Sequence, residues 1–279
     1  MIDKIIKNAL NEDIGDGDYS TLSCISEKAV GVAQLLVKEE GVIAGIDIAK
    51  RIFQLYDSNL ELDIFHKDGD NIKIGDIAFE VSGSRRSILS TERLVLNFMQ
   101  RMSGIATQTN KIVKLVEGTG VNLLDTRKTT PGLREIEKMA VKIGGGYNHR
   151  FGLDDMVLLK DNHIDYAGGV KQAIYFANKY LKENNLNLKI EVEVRSEKEL
   201  KEAIAVGQID RIMLDNFSPN LIIKVLKLIP NHIEVEASGG ITIDNIRSFA
   251  ETGVDFISVG SLTHSFKSLD MSLKAKSSF

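Results

Sequence analysis

The chain has 279 residues, 43% of them hydrophobic and 27% charged, with a formal charge of −4, a balance that suits a protein folded throughout, with one large α/β domain and a smaller one attached. The net acidic charge argues against a nucleic-acid-binding surface, although basic residues between Arg127 and Lys160 stand in glycine-rich, loop-like sequence and suggest an anionic ligand, and the apolar runs are too short for a membrane span. The one cysteine, Cys24, excludes an intramolecular disulfide and a cysteine-rich metal site, and the amino terminus, MIDKIIKNALNED, mixes acids with lysines where a secretory leader would be basic and then apolar, so the chain is expected to be cytoplasmic.

The first third reads as a mixed α/β unit. An acidic turn, EDIGDGD from Glu12 to Asp18, lacks the ligand spacing and closing glutamate of a calcium loop and is read as structural. A strand-like run follows from Val32 (VAQLLVKEE), then the turn GVIAG from Gly41 to Gly45, the helix IDIAKRIFQLYD, and short strands punctuated by Gly69 and Gly75. From Ser90 the pattern becomes helical, with Leu94, Phe98, Met99 and Met102 on one stripe, Ser90 or Thr91 able to cap the start, and Gly118 beyond the end. The domain boundary is expected near this helix.

Six further units repeat one rhythm: a short β-branched or leucine-rich run ends in polar residues and a helix follows. The runs are VNLLDTRK, MVLLKDNH, LKIEVEV, RIMLDN, HIEVEASGG and FISVGS. Six βα units imply a parallel sheet covered by helices, and without a GxGxxG turn the leading architecture is an α/β barrel. Chemistry in such barrels sits at the carboxyl ends of the strands. Those ends carry Asp125, Arg127, Lys128, Lys160, Asp161, Glu191, Glu193, Asp215, Ser238 and Ser261. So many charges converging on one rim cost stability unless an anionic ligand offsets them. The turns SGG (Ser238, Gly239, Gly240) and VGS (Val259, Gly260, Ser261) let backbone N–H groups approach a phosphate, with the following helix terminus adding a favourable dipole. Glu193 and Asp215, ending adjacent strand runs, suit Mg²⁺, although alternation puts Glu191 on the same face as Glu193 and leaves the choice between them open. His149 and Arg150 follow a glycine-rich helix stop in IGGGYNHR, and their company directs His149 towards anion binding.

Seven ordered segments resemble the quinolinate phosphoribosyltransferase family: DTRKTTPGLR (Asp125 to Arg134), AVKIGGGYNHRFGL (Ala140 to Leu153), LLKDNH (Leu158 to His163), EVEV (Glu191 to Val194), MLDNF (Met213 to Phe217), EASGGI (Glu236 to Ile241) and ETGVDFISVGSLTHS (Glu251 to Ser265). The likeness extends through TERLVLN, MSGIAT and GVIAG. It implies an α/β fold: an open-sided α/β barrel over 108–265 beside a smaller N-terminal α/β sandwich domain over 1–107, completed by 266–279. It implies transfer of a phosphoribosyl group from phosphoribosyl pyrophosphate to quinolinate with loss of CO₂, giving nicotinate mononucleotide for NAD biosynthesis. By motif, Thr126, Arg127, Lys128, His149, Arg150 and Lys160 would hold the quinolinate carboxylates and the phosphates. Lys128, Lys160, Glu193 and Asp215 would take part in catalysis, with Glu193 and Asp215 at the Mg²⁺ and ribose end. Ser238 to Gly240 and Val259 to Ser261 would hold the 5′-phosphate. Arg93 would be a substrate contact given across a homodimer, alone or within a larger dimer-based assembly. Met139 and Thr130 depart from the family's usual aromatic residue and leucine; both flank the motifs without removing charge.

Three rival readings remain at this level. One is a related enzyme acting on another anionic heterocycle, against which the intact GGGYNHR and LKDNH segments speak. A non-catalytic barrel binding phosphorylated metabolites would have no need of Glu193 and Asp215. A Schiff-base aldolase could use Lys128 or Lys160, yet bases crowded around a lysine serve anion binding as readily as a lowered pKa.

Overall fold

A computed structural model describes residues 1–276. In chain order the first elements are α1 (Ile2–Ile14), α2 (Tyr19–Cys24), β1 (Val30–Val37), β2 (Gly41–Val42), α3 (Ile46–Tyr56), β3 (Glu61–Ile64), β4 (Asn71–Ile72), β5 (Ile77–Ser84) and α4 (Arg85–Leu115). There follow β6 (Asn122–Leu124), α5 (Arg134–Ile143), β7 (Val157–Leu159), α6 (Asp161–Ala167), α7 (Val170–Glu183), β8 (Ile190–Val194), α8 (Glu197–Val206), β9 (Arg211–Asp215), α9 (Pro219–Leu226), β10 (Glu234–Ser238), α10 (Ile246–Ala250), β11 (Phe256–Ser258), α11 (Ser261–His264) and β12 (Met271–Ala275).

The chain divides into two compact units. One comprises Met1–Lys111, Thr129–Gly145 and the segment from Ser261; the other comprises Ile112–Lys128 and Gly146–Gly260. This division differs from boundaries drawn at 107/108 and 265/266, because the segment 129–145, which carries α5, packs with the first unit. The expected completing segment 266–279 contributes β12; its last three residues lie outside the described ones.

The first unit is built on an antiparallel sheet of order β12-β1-β5-β3. Alternation in β1 sends Ala33, Leu35 and Val37 inward. The amphipathic α3 buries Ile46, Ile48, Ala49, Ile52 and Phe53. Phe53 meets Phe79 of β5 edge-on with ring centres 6.0 Å apart. The acidic turn ends in Asp18, which caps α2 by accepting from the Thr21 N–H and also takes the Ser90 hydroxyl at 3.0 Å.

Helix α4 begins at Arg85, five residues before the capping residues expected from sequence. Ser90 is spent on Asp18, and Thr91 bonds back to the Ser87 carbonyl at 2.7 Å from inside the helix. Buried Ile88 extends the apolar stripe, and Arg86 is anchored by the Ile25 carbonyl at 2.8 Å. Gly144, the stop after α5, packs against α4: a Cβ there would lie 2.5 Å from the Ala106 carbonyl oxygen and 2.7 Å from Thr109 Cβ. The first glycine of GGG is therefore a close-approach position.

The second unit contains all six expected strands, parallel, in the order β6-β11-β10-β9-β8-β7. The first strand pairs with the last and β7 to β11 pair in succession, so the one seam without ladder pairing falls between β6 and β7. There a single bridge joins Leu124 to Tyr147. This is the open side of the α/β barrel. Its strands read charge–apolar–charge. Val192, Val194, Ile212, Leu214, Val235 and Ala237 are all buried and form one alternating set, while Glu191, Glu193, Arg211, Asp215, Glu236 and Ser238 form the other. The second set meets across strands, as the Arg211 pairs with Glu234 and Glu236 show.

Candidate active site

Two groups of charged side chains gather in the barrel unit. The first is built on the Asn148–His149–Arg150 turn. The buried Asp125, just past β6, accepts the His149 backbone N–H at 2.8 Å, and His149 Nδ1 accepts the Arg150 backbone N–H at 2.7 Å. His149 Nε2 lies 3.1 Å from Glu191 and 3.4 Å from Glu236, both fully buried. Arg211 reaches the same Glu236 oxygen at 3.3 Å, bonds Glu234 at 3.0 Å, and stacks over the Phe256 ring.

Burial opposes charge on His149, but Glu191 and Glu236 outweigh it and raise the imidazole to about 9. Burial, reinforced by the charge of Glu236, raises Glu191 to about 7, and Glu236 is lowered because its His149, Ser258 and Arg211 contacts overcome its own burial. These shifts agree that the cluster keeps a proton near neutrality. The Arg150 amide restricts its place. Two N–H groups cannot face one another, so Nδ1 presents a lone pair and the proton is held on the Nε2 side, between the ring and the carboxylates. The sequence reading directs His149 towards an anion; the structure turns its Nε2 to two carboxylates instead.

Arg127 and Arg150 are half-buried, and the Nε of each is buried without a hydrogen-bond partner. Arg150 Nη1 donates to the Met156 carbonyl at 3.0 Å. Burial and then the neighbouring Arg127 press the Arg150 guanidinium below its ordinary pKa, against the pull of Glu191 and Asp155. Two guanidiniums close enough to repel, with donors unspent, have the fork geometry that suits a planar anion. Thr126 accepts the Lys128 backbone N–H at 3.0 Å in the same turn, with Lys128 exposed.

The second group is Lys160, Glu193 and Asp215. Glu193 is raised by burial; the charge of Lys160 counteracts this, and those of Asp215 and Asp161 add to it. Asp215 pairs in register with Ser238 on β10 and accepts from Asn216 Nδ2 at 2.8 Å. Gly239 sits against this pair with φ +88°, and a Cβ there would lie 2.5 Å from Asn216 Oδ1 and 2.8 Å from Asp215 Oδ1. The SGG turn thus needs glycine for both conformation and space. The helix dipole expected beyond it contributes little: α10 starts only at Ile246, and α11, after VGS, spans four residues. Gly239, Gly240, Val259 and Gly260 lie in the barrel unit and Ser261 in the other, as does Arg93, exposed on α4.

Glu193 and Asp215 offer hard carboxylate oxygens beside a lysine, a donor set that fits Mg²⁺ bound jointly with substrate oxygens. Among the described residues, the cluster of three side chains able to ligate a metal is a different one, His149, Glu191 and Glu236. Arg211 presses on it, and it is an ion-pair cluster. Sequence reasoning left Glu191 undecided and gave no part to Arg211, Glu236 or Ser258. The signal for them was the alternation in EVEV, RIMLD and EVEAS, which puts these charges on the face that carries Asp215 and Ser238.

Comparison with known proteins agrees across the whole chain. Residues 18–103 match the quinolinate phosphoribosyl transferase N-terminal domain, and residues 105–274 match the C-terminal domain. The chain is similar to the probable nicotinate-nucleotide pyrophosphorylase (carboxylating) of Bacillus subtilis (strain 168), with 44% identity over 273 residues, 98% of this chain and 93% of that one. It is 45% identical to the chloroplastic nicotinate-nucleotide pyrophosphorylase (carboxylating) of Oryza sativa subsp. japonica over 97% of this chain and 76% of the relative. The crystal structure of NadC from Streptococcus pyogenes superposes with a TM-score of 0.93 at 43% identity, covering 99% of this chain and 97% of that one.

Proposed function

The chain belongs to the quinolinate phosphoribosyltransferase family, and from that premise we propose that its two charged groups divide one reaction between them: transfer of phosphoribosyl from phosphoribosyl pyrophosphate to quinolinate, with decarboxylation to nicotinate mononucleotide. The observation that carries the reading is the pair of adjacent guanidiniums, Arg127 and Arg150, with Nε donors buried and unspent. Quinolinate is a planar dianion whose two carboxylates match two planar forks.

Arg127, Arg150, Lys128 and Thr126 hold the pyridine dicarboxylate, and Lys160 lies between it and the phosphates. The SGG and VGS turns hold the 5′-phosphate. Glu193 and Asp215 take the ribose end, where Mg²⁺, when bound, neutralises the departing pyrophosphate. The C1–pyrophosphate bond breaks with positive charge growing on the sugar, which the two carboxylates favour. The ring nitrogen forms the new bond to C1. Once that nitrogen is quaternary, the adjacent carboxylate leaves as CO₂, and the electron pair left on the ring is stabilised by the positive nitrogen and takes a proton. Most of the catalysis is positioning and electrostatics.

Among the described residues no helix is long and apolar enough to cross a membrane. A cytoplasmic homodimer, in which Arg93 of one protomer serves the other's site, is part of the same proposal. The test is to incubate purified protein with phosphoribosyl pyrophosphate, Mg²⁺ and either quinolinate or nicotinate, following CO₂ and nucleotide. Product from quinolinate alone is expected, with none when Mg²⁺ is chelated. Turnover of nicotinate, or of neither acid, overturns the reading.

A further inference from the structure

Strand β9 ends at Asp215 and α9 begins at Pro219, so Asn216, Phe217 and Ser218 turn the chain from one to the other. Phe217 is buried, and Ser218 caps α9 by accepting the Leu221 N–H, with Pro219 at the first helical position. Those two anchors leave the sharp part of the turn to Asn216, which takes the left-handed backbone at φ +57°. Among the described residues, the other non-glycine residues of that conformation are Asn185 and Gln208, which follow helices α7 and α8, where left-handed residues ordinarily close a helix. Asn216 stands instead at the carboxyl end of a barrel strand. A turn by itself is better served there by glycine, which takes positive φ without steric cost.

The side chain that asparagine adds is used. Its Nδ2 donates to Asp215 Oδ2 at 2.8 Å. An ionised carboxylate only accepts, so the amino end of the carboxamide faces Asp215 and its oxygen faces away. That oxygen lies against the SGG turn: a Cβ on Gly239 would be 2.5 Å from Asn216 Oδ1 and 2.8 Å from Asp215 Oδ1. The Asn216 backbone N–H also donates to the Ser238 carbonyl at 2.9 Å, directly beyond the Asp215–Ser238 pair of the β9–β10 ladder. One residue therefore touches Asp215 on one side and the turn on the other. Asn216 is exposed, so its bond to Asp215 competes with water and adds little to stability. What the bond supplies is direction, since it occupies Oδ2 and opposes rotation of the carboxylate.

We propose that Asn216 is a positioning residue for phosphoribosyl pyrophosphate. Its carboxamide holds the Asp215 carboxylate in a fixed direction beside the SGG turn, so that the ribose and the 5′-phosphate of one donor molecule are met together. This rests on the subsites assigned under the proposed function. Quinolinate, held by Arg127 and Arg150, is bound independently of Asn216.

Two substitutions test it. Asn216→Gly keeps the backbone conformation and deletes the carboxamide, while Asn216→Asp keeps the shape and sets a second carboxylate where the donor was. The urea midpoint of Asn216→Gly is expected at or above that of the wild type. Titration calorimetry with phosphoribosyl pyrophosphate, in the absence of quinolinate, is expected to show binding weaker by about tenfold in Asn216→Gly and by more in Asn216→Asp. In steady-state kinetics the KM for phosphoribosyl pyrophosphate rises in both variants and the KM for quinolinate holds. A role confined to the turn predicts the reverse. Wild-type handling of phosphoribosyl pyrophosphate by Asn216→Gly, or loss of both substrates in step with stability, overturns the inference and leaves the subsites standing. A wild type that neither binds nor turns over phosphoribosyl pyrophosphate overturns the subsite assignment and the inference with it.

Discussion

His149 Nδ1 accepts the backbone N–H of Arg150 across 2.7 Å, so the imidazole that faces two buried carboxylates also fixes the start of the residue whose guanidinium feels the charge of Arg127. The buried ion cluster thus meets the arginine pair at one backbone amide, and the guanidiniums themselves lie outside it.

Loss of either guanidinium should therefore act on quinolinate more than on the fold. Arg127→Ala and Arg150→Ala are each expected to weaken quinolinate binding by roughly ten- to a hundredfold, the scale of one or two charge-assisted hydrogen bonds. Their unfolding midpoints should stay close to wild type. Steady-state kinetics with quinolinate varied, beside urea denaturation, separates the two effects.

Replacing His149 has the opposite balance. His149→Leu leaves Glu191 and Glu236 facing each other across the gap with only Arg211 to compensate, and the expected loss of stability is about 3–5 kcal/mol. Urea unfolding measures it. A loss under about 1 kcal/mol would mean the carboxylates find other partners.

The same cluster makes stability depend on pH. Burial and the charge of Glu236 raise Glu191 to about 7, above its ordinary 4.5 and against the pull of His149 and Arg211, so the folded chain holds that proton more tightly than the unfolded one. That stabilisation is complete below about pH 4.5 and is lost as pH rises through about 7. The contribution of this site to the denaturation midpoint should fall from about pH 5 to about 8 and vanish in Glu191→Gln.

Gly239→Ala should impair phosphoribosyl pyrophosphate use without unfolding the barrel. The new Cβ displaces Asn216 and Asp215, and the left-handed backbone at φ +88° adds strain of order 1 kcal/mol. A raised KM for phosphoribosyl pyrophosphate with a nearly unchanged KM for quinolinate is the expected pattern. Equal changes in both would place the turn elsewhere.

In the first unit, Glu137 is fully buried and accepts from the Arg101 guanidinium and from the Thr130 backbone N–H, the latter at 3.1 Å. Arg101 also bonds the Thr130 hydroxyl and stacks over Phe266. Arg101→Ala strands a buried carboxylate, and the expected destabilisation is again about 3–5 kcal/mol, read by urea denaturation. Arg101→Ala with Glu137→Leu should recover part of it, because no uncompensated charge then remains buried. Thr130, noted in the sequence as a departure from the usual leucine, is thus tied into this cluster by both its backbone and its hydroxyl.

What the sequence determined was period and position. Alternation in EVEV, RIMLD and EVEAS put charges on one face of each strand and apolar residues on the other, the six-fold rhythm implied a parallel sheet, and polar strand ends marked where the charged side chains gather. Tertiary structure decided partnership. Side-chain period says which face a residue takes but not which residue of another strand it meets, since that depends on register and on β6 pairing with β11 to curl the sheet. Only that closure set Glu191 and Glu236 against His149, leaving Glu193 beside Lys160 and Asp215. The start of α4 was likewise out of reach of local pattern, because Ser90 reads as a helix cap until Asp18, distant in sequence, claims its hydroxyl.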